Sequence, residues 1–378
     1  MINMINMSNM YNSNMLMWML SIVRSNVDKY IVCSDLWLWY NWGFIILVLM
    51  IIQIIWGLVI STLYWWYSGY WWLISLTRDI YYGINIRQLH GSLPTLIQLG
   101  ILYHIGRGIV YNSIGYVSSL WIWGIVLYLC VCLICYMGYV LPYGQIWYWG
   151  VMVIMSILPN MIREWVFGDT VITVRCVNRY YILHYLIPLL SLLLIIVHMY
   201  YLHYVDGSVS SNSTKGNSSI SSIVSITFYP LMVIKDCWYM CLVIMLIVMF
   251  TLDHNQSWNH GDNNDEANSL KTPIHIVPEW YFLYLYAVLK CIPEFYSGII
   301  TMVVMICSLL ILLLTWYLYS SKWLIRRVTL WTCVMLFIVY FWLVYVGQDF
   351  PTLESTSAGR MILMWYCLIL TSMMYVLY

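Results

Sequence analysis

HGSLPTLIQLGILYH runs from His90 to His104, and HYLIPLLSLLLIIVH runs from His184 to His198. Each stretch begins and ends on a histidine, and in each the interval is fourteen residues. On an α-helix that interval turns through close to four whole revolutions and rises about 21 Å. The two histidines of a stretch therefore share one helix face. If the helix crosses a bilayer, they lie near opposite leaflets.

The composition supports a bilayer. Hydrophobic residues make up 63% of the 378 residues and charged residues only 8%, against about 25% charged in an ordinary soluble domain. A net charge of +1 gives no polyelectrolyte signal, so nucleic acid is excluded as an expected partner. Apolar runs fall at 36–63, 89–111, 120–140, 180–204, 229–252, 298–319, 328–346 and 361–378. Each is near the length that spans a hydrocarbon core, and none shows the alternation of barrel strands. The expected fold is all-α, a polytopic membrane protein of eight transmembrane helices, the first four forming a bundle.

The expected organisation is an N-terminal extension over 1–35, a four-helix bundle over 36–228 and a C-terminal membrane domain over 229–378. The polar connections 206–225 and 253–278 are loops, and 141–178 is amphipathic and expected at the interface. The start of the chain lacks the basic and small-residue features of a cleavable signal. Of the eleven cysteines, most fall in apolar runs and read as buried packing groups. Cys132 and Cys135 form one C-x-x-C without a second pair. Scarce alanine beside abundant Ile, Tyr, Met and Asn suggests AT-biased coding, as in an organelle genome.

Ends after an even number of spans share the N-terminal side, termed side N; the opposite side is side P. The sixteen Lys and Arg residues divide evenly between them, so the positive-inside rule does not orient the chain. The second and fourth spans run in the same direction. His90 can then face His184 near side P, and His104 can face His198 near side N. Two stacked bis-histidine sites suit two low-spin haems, with both axial positions filled and no open position for oxygen. Polar residues buried in a bundle are the alternative for one such histidine, but not for two pairs at one interval on parallel helices.

The glycines follow the same interval. Gly43 and Gly57 are fourteen apart in the first span, as are Gly124 and Gly138 in the third. A flat macrocycle against a helix needs a missing side chain at its level; small-residue helix packing is the competing account. Arg87, Arg107 and Arg179 lie three to five residues from a histidine, where each can meet a haem propionate or snorkel to headgroups.

Further stretches carry a resemblance. They are NWG at 41–43 with Gln53 and Gly57, TRDIYYG at 77–83, HIGRG at 104–108 and MGYVLPYGQ at 137–145. YWG at 148–150, His198 with His203, IKD at 234–236 and PEWY at 278–281 complete them. With the histidine pattern, they make the chain resemble mitochondrial cytochrome b along nearly its whole length. The resemblance implies a subunit of a ubiquinol–cytochrome c oxidoreductase (respiratory complex III) in the mitochondrial inner membrane, with the N-terminus on the matrix side. Two haem b groups are implied, low-potential at His90/His184 and high-potential at His104/His198. Ubiquinol and ubiquinone are the implied substrates.

Through the matching positions, Glu279 is implied as the proton acceptor from quinol on side P, with Tyr139, Gly150 and Tyr281 lining that pocket. His203, Lys235 and Asp236 are implied at the quinone-reducing site on side N. The Rieske iron–sulfur protein, cytochrome c1 and other complex subunits would be separate chains, and the resemblance implies a homodimer of the complex.

The chain departs from the family pattern in three places. The segment from Gly150 to Glu164 is shorter than usual, Tyr143 follows Pro142 where Trp is usual, and Pro94 stands one turn after His90, where a kink is expected. Rival readings are the bis-haem membrane anchor of a dehydrogenase, the photosynthetic relative split after its fourth span, and a transporter whose histidines line a proton path. The anchor leaves the last four spans and PEWY unexplained. The photosynthetic relative has a second histidine interval one residue longer, and the transporter predicts an internal repeat.

Overall fold

The computed structural model describes residues 15–21, 24, 31–33, 41–64, 69–110, 118–204, 225–252, 260–319 and 323–375. Among the described residues the chain is all-α apart from one small ribbon. Its helices, in chain order, are α1 (Trp42–Ser61), α2 (Gly69–Arg78), α3 (Gly83–Val110), α4 (Ser118–Val140), α5 (Gln145–Ile157) and α6 (Asn160–Phe167). They continue as α7 (Val174–Tyr204), α8 (Val233–Leu252), α9 (Leu283–Cys291), α10 (Phe295–Tyr319), α11 (Trp323–Gln348) and α12 (Leu353–Tyr375).

Each of the eight expected apolar runs coincides with a long helix. Six begin earlier than their apolar run, α12 at Leu353 and α3 and α7 at Gly83 and Val174 by the most. Hydropathy marks the lipid-facing length, whereas the helical bond ladder continues into polar turns. At 31 residues α7 is about 46 Å long, well beyond a hydrocarbon core of about 30 Å. Five helical segments among the described residues are long and apolar enough to cross a membrane: Trp42–Ser61, Ser119–Val140, Val174–Leu202, Phe228–Met249 and Trp331–Gln348. α3 is not among them, since it carries Arg87, Gln88, His90, Gln98, His104 and Arg107.

α1 packs along α3, and α4 along α7. These four form the bundle. Ile45, Leu49, Leu93, Ile97, Val131 and Cys135 meet in its core, which also takes in Met240 of α8 and Tyr281. A second core joins α9, α11 and α12 through Ala287, Leu343 and Leu363. A two-stranded ribbon, β1 (Ile31–Cys33) against β2 (Ser225–Thr227), was not anticipated from the hydropathy pattern. The expected extension over 1–35 and the Ser-rich connection lie largely outside the described residues.

The segment expected at the interface forms α5 and α6. Gly168 ends α6 at φ 89, a left-handed cap that a Cβ disfavours. The acidic connection is strapped over the start of α5. Gln145 Nε2 donates to the Lys271 carbonyl at 2.5 Å, and its Oε1 accepts from the Asn268 N–H at 2.6 Å. One amide side chain thus holds the loop that leads to Glu279.

Gly347 lies where α11 crosses α9, and a Cβ there would meet the Leu283 carbonyl. A backbone obstacle cannot rotate away. Gly347→Val is expected to lower stability by about 1–3 kcal/mol, read as a lower thermal unfolding midpoint of the purified protein in detergent.

Candidate functional site

His90 and His184 are brought together across the bundle. Their ring centroids are 6.3 Å apart and the rings are nearly perpendicular, at 87°. Two imidazoles on opposite sides of one metal, each nitrogen about 2 Å from it, have centroids roughly 6.3 Å apart. A cavity of about 500 Å³ opens beside them, lined among others by Gly57, Gly138, Arg78, Arg87 and Tyr139. That lies within the range of about 300–1,000 Å³ typical of ligand sites. His104 lies close to His198 and to Arg107.

The glycines stand against the histidine rings. A Cβ on Gly57 would lie 3.0 Å from His90 Cε1, and one on Gly43 3.4 Å from His104 Cε1. On α4, a Cβ at Gly138 would lie 2.5 Å from His184 Cε1, and one at Gly124 3.2 Å from His198 Cε1. These notches clear the imidazoles themselves. An imidazole packed against a neighbouring backbone leaves no room for a side chain there.

The α4 notches do a second job. The His184 Nδ1 lies 2.9 Å from the Ile134 carbonyl, and the Leu120 carbonyl faces the His198 ring without closing to a full hydrogen bond. Ile134 and Leu120 each stand four residues before their glycine and fourteen apart. A carbonyl only accepts, so the His184 ring carries its proton on Nδ1 and leaves the Nε2 lone pair free. The Leu120 carbonyl favours the same tautomer at His198. Backbone anchoring of the far nitrogen is the usual support for a metal-binding histidine. His90 Nδ1 and His104 Nδ1 are buried without a hydrogen-bond partner. These features fit haem groups held by paired imidazoles.

Glu279 lies just before α9, and its carboxylate accepts a hydrogen bond from Tyr139. Tyr139 follows Gly138, so the carboxylate stands next to the His184 notch. Burial lifts the Glu279 carboxyl out of the ordinary carboxylate range to about 7, with the Tyr139 hydroxyl pulling the other way. Tyr139 also stacks on Trp147 at 4.2 Å. Tyr281 is buried among Cys135, Tyr139 and Glu279. Gly150 is not brought to this group: a Cβ there would meet open space. Tyr143, the departure from Trp, sits at φ 56 in the turn between α4 and α5. Its carbonyl accepts from the Ala267 N–H at 3.1 Å.

At the other end of the bundle, the Asp236 carboxylate faces the Asn41 amide and lies beside Lys235. Asn41 is buried two residues before Gly43, at the level of His104. Trp42 packs on Tyr103 at 4.9 Å and Tyr239 at 6.5 Å, walling the same corner. His203 stands on the last turn of α7, with its side chain outside the described residues. Arg179 is not brought to the cavity. Its guanidinium donates to the Trp165 and Glu164 carbonyls at the end of α6, which removes it from the expected propionate partners. Arg78 and Asn41 were missed as site residues, although both lie inside the motifs that carry the resemblance.

Comparison with known proteins identifies the family. The family described as cytochrome b/b6/petB matches residues 27–206, and its C-terminal counterpart, cytochrome b(C-terminal)/b6/petD, matches residues 266–367. Cytochrome b of Toxoplasma gondii is 29% identical over 352 residues, covering 90% of this chain and 94% of the relative. A chain of a hyperthermophilic respiratory Complex III superposes with a TM-score of 0.83 at 26% identity, covering 93% of this chain and 94% of that one. The chain belongs to the cytochrome b family, the membrane subunits of quinol–cytochrome c oxidoreductases.

Proposed function

We propose that this chain oxidises ubiquinol on side P and reduces ubiquinone on side N, the two sites being joined through two b haems. His90 with His184 would hold the low-potential haem, and His104 with His198 the high-potential one. The observation that carries this reading is the 6.3 Å separation of the His90 and His184 rings. It is supported by glycine notches, and by carbonyls facing the rings, that repeat every fourteen residues along α4. Bound there, haem would supply one-electron transfer.

The residues around the haems have assignable work. Arg87 and Arg78 at the side-P cavity, and Arg107 beside His104, present guanidinium groups to propionates. Glu279 takes the proton that quinol loses, and Tyr139 orients its carboxylate. With its carboxyl near 7 rather than in the ordinary range, it can be deprotonated before quinol binds and protonated after. Tyr281 closes the inner wall. On side N, Asp236 with Asn41, Lys235 and His203 supplies donors and protons to the quinone being reduced.

The same reading gives eight membrane spans, a haem-binding bundle over 36–228 and a C-terminal membrane domain over 229–378. It also gives a Rieske iron–sulfur protein and cytochrome c1 as partners in a dimeric complex. The location is then the mitochondrial inner membrane, the chain being encoded in the organelle.

His198→Leu is expected to remove one of two b haems, leaving the side-P absorption in a reduced-minus-oxidised spectrum. Equal loss of both signals would refute the pairing. Quinol oxidation is expected to rise with pH through about 7 as the Glu279 carboxyl ionises. Glu279→Gln, which cannot accept the proton, should slow turnover and abolish that limb with both haems retained. A variant with unchanged pH dependence would remove Glu279 from this role.

A further inference from the structure

The two histidine pairs differ in the residue one turn beyond each ligand. Pro94 stands four residues after His90 and Pro188 four after His184, whereas Gly108 and Leu202 occupy that place beyond the side-N histidines. In an α-helix the N–H of residue i+4 closes the bond to carbonyl i, and proline has no N–H. Even so, α3 runs unbroken from Gly83 to Val110 with Pro94 inside it. The expected kink does not interrupt the helix. The His90 carbonyl has lost its helical donor within a buried bundle, where an unpaired carbonyl is costly.

A side chain from the neighbouring helix takes that place. Gln53 Nε2 on α1 donates to the His90 carbonyl at 2.8 Å. Gln53 is one turn before Gly57, whose missing Cβ makes room for the His90 ring. Thus α1 handles His90 twice: Gly57 clears its imidazole and Gln53 holds its backbone. The other end of that amide, Oε1, is buried without a hydrogen-bond partner. The bond to His90 is therefore the one that orients the side chain. Gln53 belongs to the stretches that carry the family resemblance and Pro94 departs from them, so in this chain that amide meets a carbonyl which the proline leaves open.

We propose that Gln53 is a positioning residue for His90, its amide replacing the N–H missing at Pro94 and so fixing the height and tilt of that imidazole toward the side-P haem. This role rests on the haem assignment proposed for His90 and His184. Loss of the amide leaves the negative end of the His90 carbonyl dipole uncompensated next to the ligand ring. That favours the more positive, oxidised haem and also loosens the ring against His184.

The test compares Gln53→Leu, Pro94→Ala and the double variant in the assembled complex, by redox titration resolved by haem and by haem transfer to apomyoglobin. Gln53→Leu is expected to shift the side-P midpoint potential to a more negative value and to speed loss of that haem roughly tenfold. The side-N haem serves as the internal control and should not move. Pro94→Ala restores a backbone donor, so the double variant should return toward the parent protein. A role for Gln53 in packing alone predicts no such rescue. An unchanged side-P haem in Gln53→Leu, or a double variant as impaired as the single one, overturns the proposal. If Gln53→Leu fails to assemble, recovery of assembly by Pro94→Ala supports it and no recovery overturns it. A parent complex with no haem at His90 and His184 would fail the underlying assignment before any variant is made.

Discussion

An imidazole can press its Cε1 edge against the backbone of a neighbouring helix only where that helix has no side chain. Four such contacts organise the bundle: Gly43 with His104, Gly57 with His90, Gly124 with His198 and Gly138 with His184. Each fixes the rotation of one helix about its axis and its height relative to its neighbour. Because the contacts recur at fourteen residues on all four helices, satisfying one level brings the other close to register. α4 adds a polar constraint to the steric one, since its Ile134 carbonyl holds the His184 ring by Nδ1 and its Leu120 carbonyl faces the His198 ring. The glycine four residues further on leaves those carbonyls open to a side chain from α7. Without the notches the helices would stand further apart, and the paired rings could not converge.

Much of this was legible in the sequence because its signals are periodic. The long helices follow from apolar run length, and the facing of His90 to His184 follows from a shared interval and parallel direction. What periodicity cannot say is what fills a gap. The glycine spacing alone does not name the imidazoles that pack into the notches. Nor does spacing report competition for a charged group. Arg179 stands close to His184 in sequence, yet the carbonyls at the end of α6 lie nearer and take its guanidinium. Asn41 was missed because its use depends on Asp236, nearly two hundred residues away and joined to it only by folding.

Glu279 shows how the fold sets chemistry at a loop. Its segment leaves the Gln145-held strap and turns into α9, so the carboxylate is drawn against α4 rather than into water. Desolvation raises its proton affinity, and the Tyr139 hydroxyl restrains that rise. The balance leaves a carboxyl near 7, able both to take and to release a proton near neutral pH. A fully solvated glutamate would remain ionised there and hold a proton too weakly. One buried with no hydrogen bond would remain protonated. The strap and the tyrosine together keep it between those limits.

The two ends of the bundle are therefore built alike in their notches and differently in their backbones. Side N has uninterrupted helices at both histidines. Side P has a proline one turn beyond each, so two main-chain carbonyls there lose their helical donors in the low-dielectric interior. Such carbonyls present negative dipole ends close to the rings. Their field would stabilise the oxidised form of a haem held between those histidines and so disfavour its reduction. Gln53 partly offsets this at His90 by donating to one of the two. An electron path needs its two sites at different potentials, and identical ligands cannot supply that difference. The backbone around them can, and in this chain the asymmetry is present in the covalent sequence as two prolines before any cofactor binds.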